Sequence, residues 1–364
     1  MKFTKTAIAV AAILGSAAAA AQTANVTLYG GMRLAVESAT YKGPVSSVRI
    51  TSMENISSRF GFRGSESLGG GMNAFFQVES SIGADDGSGG IAGRESWVGL
   101  NGGFGEVKLG YGLTPFDDVL GWAHHQGANS WENRNNGVGG GAGFAKRNLF
   151  TSFKGAGDCA SVAFDARYPN SISYATPNMG GFSVRTQYAF IGEQASNSCT
   201  GWDTAFKYSN GPVTAGVTYA LHRNFTRLGG ALHNDDALRA YVGYNLGPVK
   251  IDGSYESARY KLVTGTLKYR YWELGAVAPV GAWTLGAQYS TRDNGLAAGY
   301  NAATQALTVA TGVANWTNGG GKHLSLTADY ALSKRTTVRS YYTQLKNETG
   351  VKINALSVGL WHAF

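Results

Sequence analysis

Charge is scarce in this sequence. Of its 364 residues only 15% are Asp, Glu, Lys or Arg, against about 25% in ordinary soluble domains. The scarcity does not mean disorder, which combines low hydrophobicity with high net charge, because 43% of the residues are hydrophobic. Long apolar runs are missing too. After residue 21 none approaches the ~18 consecutive apolar residues of a spanning helix, and this excludes a helical membrane protein. Histidine is rare, and the six present (His124, His125, His222, His233, His323, His362) show no metal-ligand spacing. What is abundant is glycine, with 52 residues, and tyrosine, with 19. A long Gly- and Tyr-rich chain without long apolar runs reads as one large β-structure.

Residues 1–21 stand apart. Lys2 and Lys5 form a basic start, Ala7 to Leu14 an apolar stretch, and Ala19-Ala20-Ala21 precedes Gln22 as a small-residue cleavage site. The expectation is an exported chain whose mature form begins at Gln22. Export puts the two cysteines, Cys159 and Cys199, in a compartment where a disulfide is allowed. Both lie in loop-like sequence, and spacing alone does not pair them.

Strict alternation starts at once. From Asn25 to Leu34 the even positions are apolar or Gly and the odd ones mostly polar, a strand with one apolar and one polar face. Leu324, Leu326, Ala328, Tyr330 and Leu332 repeat the pattern, as do Leu356, Val358, Leu360, His362 and Phe364, and Phe182, Val184, Tyr188 and Phe190. Tight-turn sequences centre on positions 70, 102, 179, 211, 247, 280 and 333. Most of the spacings are near 33 residues, room for two ten-residue strands and a longer loop. The long intervals hold Gly-rich stretches at about 113–166 and 292–319. Seven tight turns, with both termini on the turn side, predict sixteen strands. Short turns at one end and long loops at the other, with an even strand count, are the pattern of a transmembrane β-barrel. Closure follows from physics, because a sheet in lipid cannot leave edge N–H and C=O groups unpaired. A soluble β-sandwich or β-helix also alternates, but does not confine its short turns to one side.

The motifs in order resemble those of Gram-negative trimeric general porins of the neisserial and β-proteobacterial type. Val26-Thr27-Leu28-Tyr29-Gly30 is similar to that family's first strand, and Ser58 to Glu66 followed by Leu68-Gly69-Gly70-Gly71 to its second strand and first turn. Phe76 to Glu79, Gly93 to Leu100, Gly103 to Gly110 with Thr114-Pro115-Phe116, and Asn170 to Phe182 resemble the strands that follow. The chain ends Val358-Gly359-Leu360-Trp361-His362-Ala363-Phe364, like the family's terminal strand. The long Gly137–Gly143 stretch and the first loop depart from the pattern.

The expected fold is therefore all-β: a 16-stranded antiparallel transmembrane barrel with a long third loop folded into the lumen, one domain over 22–364. A passive channel needs no nucleophile, base, metal or cofactor. It needs an aqueous hole, a constriction, and charge at that constriction. Segment 113–166 is the connection long enough to enter the lumen and return, with Asp117, Asp118 and Glu132 as its acidic residues. Alternation around Phe60 and Phe62 as lipid-facing turns Arg59 and Arg63 inward. Taking Trp97 as outward turns Arg94 inward, and taking Tyr168, Ile172 and Tyr174 as outward turns Arg167 inward. Arg33, Lys108, Arg185, Lys268 and Arg270 are further inward cations on the same reading, and together they predict a modest anion preference.

The resemblance implies that Arg59, Arg94 and Arg167 stand at the eyelet, that Glu79 is an inward acid, and that the protein is a homotrimer. It also implies that Phe364 is read by the outer-membrane barrel-assembly machinery, and that the partners are membrane lipid, lipopolysaccharide, small hydrophilic solutes and inorganic ions. Two other functions fit the same barrel: a channel selective for organic anions or sugars, and a surface adhesin using its long loops. A basic pI of about 9.3 spread through an exported barrel argues against nucleic acid.

Overall fold

The computed structural model describes residues 25–43, 47–120, 164, 166–191, 199–226, 232–262, 265–293, 321–347 and 352–364. The chain there forms β1 (Asn25–Lys42), β2 (Ser47–Asn55), β3 (Arg59–Gly69), β4 (Met72–Ile82), β5 (Gly89–Gly90), β6 (Ser96–Gly102), β7 (Gly105–Leu113), β8 (Arg167–Ala175) and β9 (Phe182–Phe190). It continues through β10 (Thr200–Asn210), β11 (Val213–Thr226), β12 (Leu232–Asn245), β13 (Lys250–Leu262), β14 (Gly265–Val280) and β15 (Trp283–Arg292). The last three are β16 (Gly321–Ala331), β17 (Thr336–Asn347) and β18 (Lys352–Ala363).

These segments make sixteen antiparallel staves. β1 pairs with β2 from Leu34↔Asn55 and with β3 from Gly31↔Arg59, so β2 and β3 are one stave interrupted at 56–58, where Ser57 has φ +59°. β4 likewise pairs with both β5 and β6, one stave interrupted at 91–95, where Ala92 has φ +57°. β18 returns to pair with β1, from Gly31↔Ala363 to Lys42↔Lys352, and the barrel closes. Closure leaves the sheet without an edge.

All seven expected tight turns lie at one end of the barrel, together with Asn25 and Phe364. The glycines there take up the positive φ that such turns need: Gly211 at +57° and Gly281 at +61° are two instances. Gly30 and Phe364 exchange backbone hydrogen bonds of 3.1 Å in both directions, and the Phe364 ring lies where a Cβ on Gly30 would sit. Glycine within strands has the same use elsewhere. The Tyr29 ring covers Gly61, Tyr168 covers Gly201, and Tyr241 covers Gly216. Each glycine is a slot for an aromatic ring, from the adjacent strand for Gly61 and Gly216 and from across β9 for Gly201.

The faces are inverted relative to a soluble protein. Leu28, Val36, Phe206, Leu274, Leu326, Leu356, Val358 and Leu360 are exposed, while Glu37, Glu79, Gln187, Asp203, Arg239, Glu256 and Glu273 are buried. Apolar-out and polar-in around a closed sheet is the arrangement of a barrel in lipid.

Four side chains face opposite to expectation. Trp97 points inward, since Val98 and Leu100 are the exposed neighbours on β6; its ring meets Phe75 edge-on at 5.1 Å. Tyr168 is buried because β7 and β8 shift register between Gly110 and Gly112, with Asn170 at φ +47°, so alternation counted from Ile172 and Tyr174 fails there. Lys268 and Arg270 share the parity of exposed Trp272 and Leu274 and lie on the outer face at the loop end, not in the lumen.

Candidate functional site

One side of the lumen wall, across β17, β18, β1, β3 and β4, gathers guanidinium groups. Arg33 comes from β1 and Arg59 from β3. Arg339 comes from β17, and Arg94 from the break before β6. They lie close enough that Arg33 senses the charge of Arg339 and Arg94, and Arg59 that of Arg94 and Arg33. Glu79 on β4 ties the group together. Its Oε1 accepts from Arg94 Nε at 2.5 Å and lies 3.7 Å from Arg59 Nη1, and its Oε2 accepts from the Tyr29 hydroxyl at 3.2 Å. Backbone bonds fix the irregular segment: Arg94 N–H donates to Glu79 O, and Glu79 N–H to Glu95 O. Asp329 pairs with Arg339. Arg33 and Arg339 both lie over the Trp361 ring, at 4.8 and 3.8 Å. Within this cluster four guanidiniums thus meet two carboxylates; two further inward acids of the wall, Glu37 and Glu54, lie toward the loop end on β1 and β2. Guanidinium stays protonated at any working pH, so the cluster keeps excess positive charge.

The opposite side, across β9 to β12, is built differently. Residues 114–120 enter the lumen and dock there. The Phe116 N–H donates to Asp203 Oδ2 at 2.7 Å, and its carbonyl accepts from Arg239 Nη1 at 2.6 Å. The Arg239 guanidinium also lies 4.0 Å over the Phe116 ring and pairs with Glu256 at 2.7 Å. Arg239 and Glu256 are 0% and 2% exposed. An unpaired charge at such depth costs several kcal/mol, so the pair and the loop backbone it holds are mutually dependent. Asp118 accepts two hydrogen bonds from Arg185 at 2.9 and 3.0 Å, with Lys207 at 3.9 Å. The returning end of the same connection is held by Phe164, which stacks on His222 at 4.3 Å; His222 in turn bonds the Tyr168 hydroxyl at 2.7 Å.

The residues singled out from sequence therefore fall into three places. Arg59, Arg94 and Glu79 meet on the basic side. Arg167 lies near them but on a different carboxylate, Glu95 at 3.5 Å, which also accepts from Trp97 Nε1 and from the Leu113 N–H. Asp118 is on the far side, paired with Arg185, and Asp117 sits in the same short turn, Pro115–Asp118. Glu132, Cys159 and most of segment 113–166 lie outside the described residues, as does the 1–21 leader. Cys199 is buried and is not a free thiol. Lys108 faces inward over Trp97 at 4.9 Å. Sequence reasoning missed Arg339, Trp361, Asp203, Arg239 and His222. Asp203 was findable, being flanked at the right parity by the exposed Trp202 and Phe206.

Comparison with known proteins agrees with this geometry. The family described as Gram-negative porin matches residues 6–350. Outer membrane porin protein 32 of Delftia acidovorans is 35% identical over 286 residues, covering 76% of each chain. Major outer membrane protein P.IB of Neisseria meningitidis serogroup B is 26% identical over 362 residues, covering 94% of this chain and 95% of its own. Among solved structures, the anion-selective porin from Comamonas acidovorans superposes with a TM-score of 0.72 at 27% identity, covering 94% of this chain and 100% of that one. OmpT of Vibrio cholerae, solved in a trimer form, shares the fold at a TM-score of 0.63 and 14% identity, covering 94% of this chain and 99% of its own.

Proposed function

The chain belongs to the Gram-negative porin family and is a general, non-enzymatic channel of the outer membrane, and on that premise we propose that its pore prefers anions. The observation that carries this is the uneven count within one cluster on the lumen wall, Arg33, Arg59, Arg94 and Arg339 around Glu79 and Asp329, with the wall's other two acids, Glu37 and Glu54, set further toward the loop end on β1 and β2. Fixed positive charge beside an aqueous path raises the local anion concentration and disfavours cations. The anion-selective title of the Comamonas acidovorans structure supports the same reading.

The constriction in this proposal is formed by segment 113–166, whose docked start at Phe116 supports an inward course. Arg59, Arg94, Arg167 and Glu79 line its basic side, and Asp117 and Asp118 belong to its loop side. A Cys159–Cys199 disulfide would tie the return limb of that segment to the wall beside β10. The working form is a homotrimer, as is typical of the family, packed through small apolar outer faces of the early strands. The leader 1–21 is removed on export, and Phe364 acts as the mark read during barrel assembly.

Single-channel recording of the purified protein in planar bilayers tests the reading. A large ohmic conductance, linear in KCl concentration and unsaturated by any one solute, is expected. Saturation by a single organic anion or sugar would make it a selective channel instead. Near-zero conductance would favour a surface adhesin.

A further inference from the structure

Within the basic cluster, Arg33 differs from its neighbours in having no carboxylate partner among the described residues. Arg94 and Arg59 share Glu79, at 2.5 and 3.7 Å, and Arg339 pairs with Asp329. The Arg33 backbone is fixed where β1 leaves β3 for β2. Its N–H donates to Ser58 Oγ at 2.9 Å, and its carbonyl accepts from the Ile56 N–H at 2.8 Å. Its guanidinium lies over the Trp361 ring at 4.8 Å, and that of Arg339 lies over the same ring at 3.8 Å. Trp361 is on β18, the strand between theirs: Arg33↔Trp361 is a cross-strand pair on one side, and Arg339↔Gly359 lies on the other. One indole thus receives two guanidiniums from the two strands that flank it. Arg63 on β3 repeats the theme nearer the turn end, over the Tyr29 ring at 5.0 Å and without an acid partner among the described residues.

An acid and a ring hold an arginine differently. A carboxylate positions the guanidinium and cancels its charge. A π face positions it through the ring quadrupole and leaves the charge whole. Acids able to cancel Arg33 lie on the same wall: Glu37 further along β1, and Glu54 opposite Ala35 on β2. A guanidinium released from the indole is drawn toward them, and the excess charge of the cluster shrinks.

We propose that Trp361 is a specificity-determining residue of the channel, seating Arg33 uncancelled beside Arg339 so that the excess positive charge stays in the ion path. Trp361 acts through the two arginines and is a positioning residue. The proposal rests on the anion-preferring pore described above.

The test pairs two measurements on the purified protein in planar bilayers. The zero-current potential across a dilute KCl gradient reads fixed charge. Conductance at high KCl, where that charge is screened, reads the open cross-section. Each cation–π contact favours the seated guanidinium by roughly two- to five-fold. Trp361→Leu is therefore expected to lower the chloride-to-potassium permeability ratio about two-fold, with high-salt conductance unchanged. Trp361→Phe, which keeps a π face, retains most of the ratio. In a channel already carrying Arg33→Gln and Arg339→Gln, Trp361→Leu is expected to change nothing further, because the groups it acts through are gone. Should Trp361→Leu not assemble, Trp361→Met fills the site without a ring and carries the same expectation. A ratio unmoved by Leu or Met, or a Phe variant as impaired as Leu, would overturn the role of Trp361. So would an effect that persists in the double Gln background, or an equal change in high-salt conductance, the mark of a merely wider pore. In each of these cases a wild-type potential of the chloride sign leaves the channel reading standing. A wild-type potential of the potassium sign overturns both.

Discussion

The two sides of the lumen use the same residue type for opposite ends. On the β9–β12 side, Arg185 and Arg239 are consumed by structure: each is paired with a carboxylate and also donates to a backbone carbonyl of the entering segment, Leu113 O and Phe116 O. In the cluster on the β17–β4 side four arginines gather around Glu79 and Asp329, and two of them rest on an aromatic ring rather than on the loop. Partner count decides the role. A fully matched guanidinium is an anchor, and an unmatched one is a source of field for passing ions.

Substitutions on the anchoring side should disturb stability and pore size, and those on the basic side should disturb selectivity. Arg239→Ala carries the largest expected effect. It strands Glu256 and frees the Phe116 carbonyl, so unfolding from lipid vesicles in urea should show a loss of about 3–5 kcal/mol, with noisier and larger single-channel currents. Combining Arg33→Gln, Arg59→Gln and Arg94→Gln should lower the anion-to-cation permeability ratio several-fold in zero-current measurements while leaving the loop anchors in place. Glu79→Gln should push the same ratio the other way. It also costs roughly 1–3 kcal/mol of stability by leaving Arg59 and Arg94 without their acid. Asp118→Asn should have the smallest effect, at most about 1 kcal/mol with a slight gain in anion preference, because Arg185 keeps its bonds to Ser173 and Leu113. A selectivity change in Arg239→Ala as large as that of the triple variant would erase the distinction between the two sides.

Much of the barrel was legible in the sequence because its two periodicities are physical necessities. Alternation follows from having lipid on one side and water on the other, and the turn rhythm from the thickness of the membrane. What escaped were the places where alternation breaks without notice. Ser57 and Ala92 adopt positive φ although neither is Gly or Asn. The second of these breaks is why Arg94 reaches the lumen even though Trp97, the residue used to argue its direction, does so too. Reading aromatics as lipid-facing failed at Trp97 and Tyr168 for a common reason. Both find inward neighbours suited to a ring: Phe75 and Lys108 for one, Gly201 and His222 for the other. Lys268 and Arg270 failed in the opposite sense, since cations can sit on the outer face once a strand rises beyond the hydrocarbon. The glycine content likewise has two sources, turns and ring slots such as Gly30 under Phe364, and only the first was visible as a motif.

The central claim is that unmatched guanidinium on one wall sets the ion preference of the channel. The most direct measurement is the zero-current potential of the wild-type channel across a KCl gradient, repeated with Arg33, Arg59 and Arg94 changed to Gln. The account predicts a potential of the sign set by chloride for the wild type, collapsing toward zero in the variant. A wild-type potential of the potassium sign, or one that the three substitutions leave unmoved, would contradict it.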